Sequence, residues 1–277
     1  MSGGAEGPPD VVESRFRSDA DANAARRNLT CFLEPKWLDM LLPRAWLAWS
    51  SGKDSAWALH TARLEDRVDV VGLLTTVTEP FDRVSMHGVR VELLDAQGAA
   101  AGLPLVKVPI PAPCPNEVYE QVMGEAVRQA RQEGITQMLF GDLFLEDIRA
   151  YRERHLDGTG MEPHFPLWGR PTAELAEEMI DGGLVAHVTC LDPRKVPREL
   201  AGRRFDRSFL ADLPDGVDPC AENGEFHTCV TAGPMFENSI AVSVGEVVDR
   251  DGFVFADLEV EDRQAEACTP TARAVSG

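Results

Sequence analysis

Ala45-Trp46-Leu47-Ala48-Trp49-Ser50-Ser51-Gly52-Lys53-Asp54-Ser55 is the stretch that decides the fold of this chain. Its five apolar residues read as a buried strand, the Ser/Gly run as a tight turn, and residues 55–65 as the helix that follows. Small residues in such a turn let backbone N–H groups close on an anion. The helix aims the positive end of its dipole at the same point, and Lys53 adds a full charge. Asp54, beside a bound nucleotide, is placed to hold Mg²⁺, a hard cation that takes carboxylate oxygens. The turn is not a Walker loop, which needs a Gly at position 47, where this chain has Leu. An ordinary strand-to-helix connection with Ser as N-cap and Gly for tightness has the same composition, so other motifs must decide between the two.

Working outward, apolar runs at 68–77, 103–110 and 137–141 read as further strands. Residues 117–133 read as a helix with Val118, Val122, Met123, Ala126, Val127 and Ala130 on one face and Gly134 as its stop. The intervening 78–102 stretch reads as polar connection. Continuous apolar strands linked by helices predict a doubly wound α/β fold with a parallel sheet covered on both faces. Ligands in such sheets sit at the carboxyl ends of strands, where the 50–55 loop, Thr75-Thr76 and Gly141-Asp142 all fall. Beyond Asp142 the chain is rich in proline. It contains a helix at 172–180, a strand at 184–191 and a hairpin pairing 239–246 with 253–260 around Asp249-Arg250-Asp251-Gly252, which together predict a smaller α+β lobe. The expected division is a mobile arm over 1–35, a nucleotide domain over 44–150, a substrate lobe over 151–262 and a frayed tail over 263–277.

Composition narrows the function. With 277 residues, 44% of them hydrophobic, the chain can bury a substantial core. No apolar run approaches the roughly 20 residues of a membrane span, and the first thirty residues lack a signal peptide's apolar core, so the expectation is a cytoplasmic protein with no membrane partner. A net charge of −19 argues against nucleic acid. The same field opposes a nucleotide phosphate, so a phosphate site must draw on Lys53, a helix N-terminus, Mg²⁺ and arginines such as Arg90, Arg149 and Arg152. The six cysteines (Cys31, Cys114, Cys190, Cys220, Cys229, Cys268) form no C-x-x-C pair, so free thiols are expected. Trp46 and Trp49 read as core packing.

Two further clusters carry chemistry. In Phe140-Gly141-Asp142-Leu143-Phe144-Leu145-Glu146-Asp147-Ile148-Arg149-Ala150-Tyr151-Arg152-Glu153-Arg154, Asp142 and Glu146 can share a metal face. Arg149 and Arg152, one turn apart, can grip a phosphate or a carboxylate. A solvated helix with charged neighbours such as Glu146 and Arg149 has the same pattern. In Asp218-Pro219-Cys220-Ala221-Glu222-Asn223-Gly224-Glu225-Phe226-His227-Thr228, the side chains of Glu222, Glu225 and His227 can handle a proton or orient an amine. A self-capping surface loop is the plainer account of each residue alone.

Together, five segments in this order resemble the diphthine–ammonia ligase family of PP-loop ATP pyrophosphatases, in its bacterial adenine nucleotide alpha hydrolase-like branch. They are the SSGKDS loop, Ser85-Met86-His87-Gly88-Val89-Arg90, the GDLFLEDIRAYRE segment, Phe165-Pro166-Leu167-Trp168-Gly169 and the DPCAENGEFHT loop, spanning about Trp46 to Phe236. The resemblance implies a Rossmann-like, HUP-like ATP domain and a C-terminal lobe that completes the substrate pocket. By the same resemblance, Ser50, Ser51, Gly52, Lys53 and Ser55 hold phosphates, and Asp54 and Asp142 hold Mg²⁺ beside Gly141. Thr75 and Thr76 line the adenosine edge. Glu222, Glu225 and His227 lie on the acceptor side, and Met86, His87, Arg149, Arg152 and Trp168 face substrate. Two residues depart from the family pattern: Ser51 replaces its second loop Gly, and Ala221 stands where it reads Cys-Gly-Glu. The Cβ of Ala221 is tolerable with negative φ there.

The implied reaction is attack of a substrate carboxylate on the α-phosphorus of Mg-ATP, release of pyrophosphate, and displacement of AMP by ammonia or an amine. Lys53, the loop amides and Mg²⁺ would stabilise the departing charge. The expected partners are ATP, a small carboxylic acid or a protein or peptide carboxylate, and ammonia or an amine, with a homodimer left open. The competing readings are a non-catalytic ATP or AMP sensor and a tRNA-modifying PP-loop enzyme. The second is opposed by the acidic charge and the absence of paired cysteines.

Overall fold

Strand β1 (Arg44–Ala48) is buried at Ala45, Trp46 and Leu47 on both of its faces, as its unbroken apolar run requires. The computed structural model describes residues 42–84 and 87–261. The expected arm over 1–35, the tail over 263–277, Met86, Cys31 and Cys268 lie outside the described residues. After β1 come α1 (Lys53–Glu65), β2 (Asp69–Thr78), a short β3 (Arg83–Val84), α2 (Val91–Ala101), β4 (Leu105–Ile110) and α3 (Asn116–Gln132). The chain continues through β5 (Gln137–Leu139), α4 (Glu146–Leu156), β6 (Glu162–His164), α5 (Thr172–Asp181), β7 (Val185–Leu191), α6 (Arg207–Ala211), β8 (Phe226–Ala232), β9 (Val242–Arg250) and β10 (Phe253–Val260).

The first sheet runs β4–β2–β1–β5–β6, all parallel, with β3 turned back antiparallel on the end of β2 at Val77 and Thr78. The chain steps outward on one side from β1 to β2 to β4, and on the other from β5 to β6. Strand order therefore reverses between β1 and β5, and the crevice at their carboxyl ends is where ligands bind in such sheets. This is the Rossmann-like α/β arrangement expected from the alternation of elements. The parallel sheet also extends beyond residue 150, because the Glu-Pro-His strand β6, too polar and short to read as a strand, pairs with β5. The second sheet is antiparallel, in the order β8–β7–β10–β9, and forms the core of the smaller lobe.

Two local readings are corrected. The 78–102 stretch holds a helix, α2, whose apolar stripe is interrupted by Glu92, Asp95, Gln97 and Gly98; Gln97 is fully buried all the same. The first strand of the hairpin is β9 at Val242–Arg250 instead of 239–246. Asp251 (φ 51°) and Gly252 (φ 83°) make a two-residue turn of the twist that hairpins favour, so pairing continues to Arg250–Phe253.

One apolar core crosses both sheets, joining Leu47, Leu59 and Leu73 to Val188, Phe226, Val230 and Val254. A second core, with Trp46, Leu74, Val108, Ile135 and Met138, lies with α3 residues Ala126, Val127 and Ala130; Val122 and Met123 pack against its margin. Among the described residues no helix is long and apolar enough to cross a membrane.

Gln97 braces the junction. Its Oε1 accepts the Trp49 indole N–H at 3.0 Å, and its Nε2 donates to Ser51 O at 3.1 Å and Val230 O at 2.7 Å. Replacing it with Leu strands an indole donor and a strand carbonyl in the core, at a cost of roughly 1–3 kcal/mol. Gln97→Leu is therefore expected to lower the urea midpoint accordingly, and an unchanged midpoint would show that the brace carries no stability.

Candidate active site

The loop leaves β1 through Trp49, whose N–H donates to Leu74 O at 2.7 Å and whose carbonyl accepts the Thr75 hydroxyl at 2.6 Å. Thr75 is thus buried and committed to the turn, while Thr76 is half-buried at the same strand end. The Ser50 and Ser55 hydroxyls meet at 3.1 Å, and Ser55 Oγ also donates to Gly52 O at 3.0 Å, which closes the loop on itself. Ser51 has φ 70°, a left-handed conformation that favours glycine. Gly52 is required by space: a Cβ there would lie 2.8 Å from His87 Cε1. Gly141, after β5, is equally constrained, since its Cβ would stand 2.9 Å from the Asp54 carbonyl carbon and from Ser55 N. This close approach sets Asp142 beside the start of α1.

Strand β8 of the smaller lobe lies across the loop. Val230 N–H donates to Ser51 O at 2.9 Å, and the Thr228 hydroxyl accepts Lys53 N–H at 3.1 Å. His87 Nδ1 lies 3.1 Å from Thr228 O; because a carbonyl only accepts, Nδ1 carries the proton and Nε2 keeps its lone pair. The His87 ring packs at 4.6 Å from that of His227. Lys53 is almost fully buried. Its ammonium bonds Asp54 Oδ2 at 2.9 Å and the Cys220 carbonyl, and lies 5.5 Å from the centre of the Phe226 ring. The loop lysine therefore reaches under the acidic 218–224 turn of the other lobe, a contact that the sequence does not disclose.

In that turn Asp218 accepts from Cys220 N–H (3.3 Å) and Glu222 N–H (2.8 Å). Ala221 has φ 57°, so the negative φ that would have made its Cβ harmless is not adopted, because the tight turn demands a left-handed residue. Glu222 Oε1 crosses to the first lobe, accepting Leu143 N–H at 2.7 Å and Phe144 N–H at 3.4 Å. Glu225 is buried; its Oε1 takes Asn223 Nδ2 at 3.2 Å while its Oε2 has no partner among the described residues.

Other expected pairings are redistributed. Helix α4 starts at Glu146, leaving Asp142 in the preceding loop, paired at 3.4 Å with Arg152 instead of sharing a face with Glu146. Arg149 pairs with Glu153 at 2.8 Å and not with Glu146, and stacks on Trp168 at 4.8 Å. Arg90 is spent on the smaller lobe's Asp257, at 3.0 Å from Nε, and Glu259; burial works against the Asp257 carboxylate, but Arg90 and Arg83 hold it at about 2. Cys114, Cys190, Cys220 and Cys229 are free thiols. Burial pushes Cys220 and Cys190 up to about 12, which makes neither a nucleophile.

Burial opposes charge on the two histidines: His87 is lowered to about 3 by burial, then by His227 and Lys53, and His227 to about 4 by burial and Lys53. Both are neutral near pH 7. Glu222 is pushed up to about 7 by burial, with Asp54 and Asp142 adding to the effect. Burial also disfavours the Lys53 ammonium, yet Asp54, Cys220 and Asp218 keep its pKa above the ordinary value.

The loop fits a phosphate and a divalent cation. Gly52, the N-cap of α1, has no side chain to cap the helix, the Thr228 hydroxyl takes only the Lys53 N–H, and two buried polar atoms there lack any partner among the described residues: Ser51 Oγ, a donor, and Asp54 Oδ1, an acceptor. The described residues contain no group of three His, Cys, Asp or Glu side chains arranged for a metal. Mg²⁺ commonly takes only one or two carboxylates beside substrate oxygens.

The fold and loop thus define a Rossmann-like α/β protein whose candidate site lies at the point of strand reversal, roofed by a second lobe. Two family profiles match the chain: the diphthamide synthase N-terminal domain over residues 44–163 and the diphthamide synthase C-terminal domain over 171–259. The diphthine–ammonia ligase of Bos taurus is 24% identical over 213 residues, covering 67% of this chain and 78% of the relative; that of Homo sapiens is 25% identical over the same shares. The chain belongs to the diphthine–ammonia ligase family, a family of ligases.

Two outcomes are expected. Ala221→Gly relieves a left-handed penalty of about 1–2 kcal/mol against a glycine entropy cost of about 0.5–1 kcal/mol, so it should raise the urea midpoint modestly; a lower midpoint would refute strain at this turn. The histidines, lowered in the fold, make the unfolded chain take up more protons below about pH 6.5, so their contribution to stability falls on acidification from pH 7 to 5. Glu222, raised in the fold, contributes with the opposite sign over the same range. His87→Gln/His227→Gln should therefore flatten the acid-side loss of Tm, and an equally steep loss would contradict the neutral pair.

Proposed function

We propose that this chain is an ATP-dependent amide ligase of the AMP-forming type. It adenylates a substrate carboxylate and passes the acyl group to ammonia or an amine. The observation that carries the reading is the meeting of the phosphate-type loop with the acidic turn of the other lobe, through Lys53 to Cys220 and Glu222 to Leu143. Membership in a ligase family whose named relatives join ammonia to diphthine supports the same chemistry. The SSGKDS loop makes ATP the energy source. The FPLWG and GEFHT wording of this chain points to a bacterial acceptor, a small carboxylic acid or a peptide carboxylate, in place of diphthine.

In this reading the 50–55 loop and the first-turn N–H groups of α1 beyond Lys53 receive phosphate oxygens, and Thr76 lies toward the adenosine. Lys53, committed to Asp54 and Cys220, supplies charge from behind the loop and fixes the 218–224 turn over it. Asp54 and Asp142 would hold Mg²⁺, which would supply charge neutralisation to the departing pyrophosphate. The substrate carboxylate oxygen bonds to the α-phosphorus as the bond to pyrophosphate breaks. Ammonia then bonds to the acyl carbon, AMP leaves, and the surplus proton passes to Glu222, whose carboxyl titrates near neutral pH. The neutral His87 and His227 orient the amine without competing with it as cations.

Incubation with Mg-ATP, ammonium and a pool of cell metabolites tests the reading. AMP with stoichiometric pyrophosphate, dependent on a pool component, is the expected result. Nucleotide bound but never cleaved would replace the ligase with a sensor, and dependence on the RNA fraction would replace the acid with tRNA. Glu222→Gln should keep ATP–pyrophosphate exchange and lose amide formation by roughly a hundredfold or more; equal loss of both would remove Glu222 from proton transfer.

A further inference from the structure

We propose that Arg149 and Arg152 form a two-pronged clamp for a second acidic group on the acceptor, so that the molecule activated here is a dicarboxylic acid or a phosphorylated carboxylic acid. This rests on the ligase reading above. The two arginines lie one turn apart on α4. The Arg149 guanidinium carbon stands 5.0 Å from the Phe165 ring centre and 4.8 Å from that of Trp168; that of Arg152 stands 5.1 Å from the Phe140 ring. The rings brace one another, Phe140 stacking on Phe165 at 5.5 Å and 26°, and Phe165 meeting Trp168 edge-on at 5.8 Å. Each guanidinium is also pinned at Nε, Arg149 by Glu153 at 2.8 Å and Arg152 by Asp142 at 3.4 Å. Among the described residues no acceptor meets the terminal nitrogens of either arginine. A stacked plane with its inner edge tied leaves the outer fork open and oriented, which is the arrangement that reads a planar oxyanion in bidentate fashion.

The platform is continuous with the candidate site. Phe140 and Asp142 follow β5, Phe165 and Trp168 follow β6, and Gly169 N–H ties that turn to Leu143 O at 2.8 Å, beside the N–H that Glu222 holds. It lies on the β5–β6 side of β1, whereas Thr76 and the adenosine edge lie on the β2 side. The carboxylate that attacks phosphorus loses its charge on activation, so a cation gripping it would stabilise the ground state and hinder the step. A pair of arginines set on α4 beyond Asp142, with Arg152 paired to that carboxylate at 3.4 Å, instead suits a group that stays anionic throughout.

Calorimetric titration of the full chain with succinate and with propionate, each with and without Mg-ATP, tests the clamp. Succinate is expected to bind about tenfold tighter or more, the scale of one charge-assisted bidentate contact. That preference should shrink to within about twofold in Arg149→Met/Arg152→Met and in Arg149→Lys/Arg152→Lys, the latter keeping the charge and losing the fork, while ATP affinity holds. Equal affinity for the two acids, or a preference that survives both variants, overturns the proposal. A loss of ATP affinity in the variants also overturns it, by assigning the clamp to nucleotide phosphate. The titration reads binding alone, so a failure to form AMP would sink the ligase reading and leave this result standing.

Discussion

The carbonyl of Ser51 accepts two hydrogen bonds, from Gln97 Nε2 and from Val230 N–H, and much of the site depends on that grip. A non-glycine residue at φ 70° pays about 1–2 kcal/mol for a left-handed conformation. It persists because two donors from separate elements hold its carbonyl in place. The same contacts dock β8 on the loop, and once β8 is docked, Thr228 is in position to take Lys53 N–H and to fix the tautomer of His87. Local strain, lobe packing and histidine protonation are thus parts of one arrangement.

Electrostatics follow from it. The molecule is strongly acidic, and its cations are distributed unevenly: Arg83 and Arg90, beside β3 and α2, are consumed by Asp257 of the smaller lobe's β10, an ion-pair cluster that ties the two sheets. At the carboxyl edge of the parallel sheet stand Lys53 beneath the loop, the start of α1 with its Gly52 N-cap, and the two stacked arginines of α4. The histidines add no charge, because burial beside Lys53 keeps them neutral. In the ligase reading these fixed charges are what would draw an anion to the strand-reversal crevice, against a repulsive surround.

The sequence disclosed the parallel sheet, the loop and most helices, because long apolar runs and 3.6-residue stripes survive without context. It also disclosed that the 50–55, 141–142 and 218–228 segments belong together, through the family pattern. It did not disclose α2, whose stripe is broken by Gln97, a polar residue that earns a core position only through partners on Trp49, Ser51 and Val230. Nor could spacing show that Asp142 would pair with Arg152 across the start of α4, or that Lys53 would turn under Cys220. Those contacts span 10 and 167 residues and depend on how elements pack. The signal available for Gln97 was a lone amide among apolar neighbours, which is a weak signal taken singly.

Both departures from the family's glycines, Ser51 and Ala221, fall at positive φ, and Lys53 connects the two turns by bonding the Cys220 carbonyl beside Ala221. A lysine so placed does more than neutralise a ligand. Burial makes its ammonium costly unless it is paired and hydrogen-bonded, so the 218–224 turn supplies the Cys220 carbonyl as an acceptor beside Asp54. The turn in turn delivers Glu222 to Leu143 and Phe144, closing the crevice from the side of β5. Under the ligase reading proposed above, this closure would serve the chemistry, since an acyl-adenylate open to water is hydrolysed before an amine can reach it. The two left-handed turns are thus the ends of a single latch, held together by one buried charge.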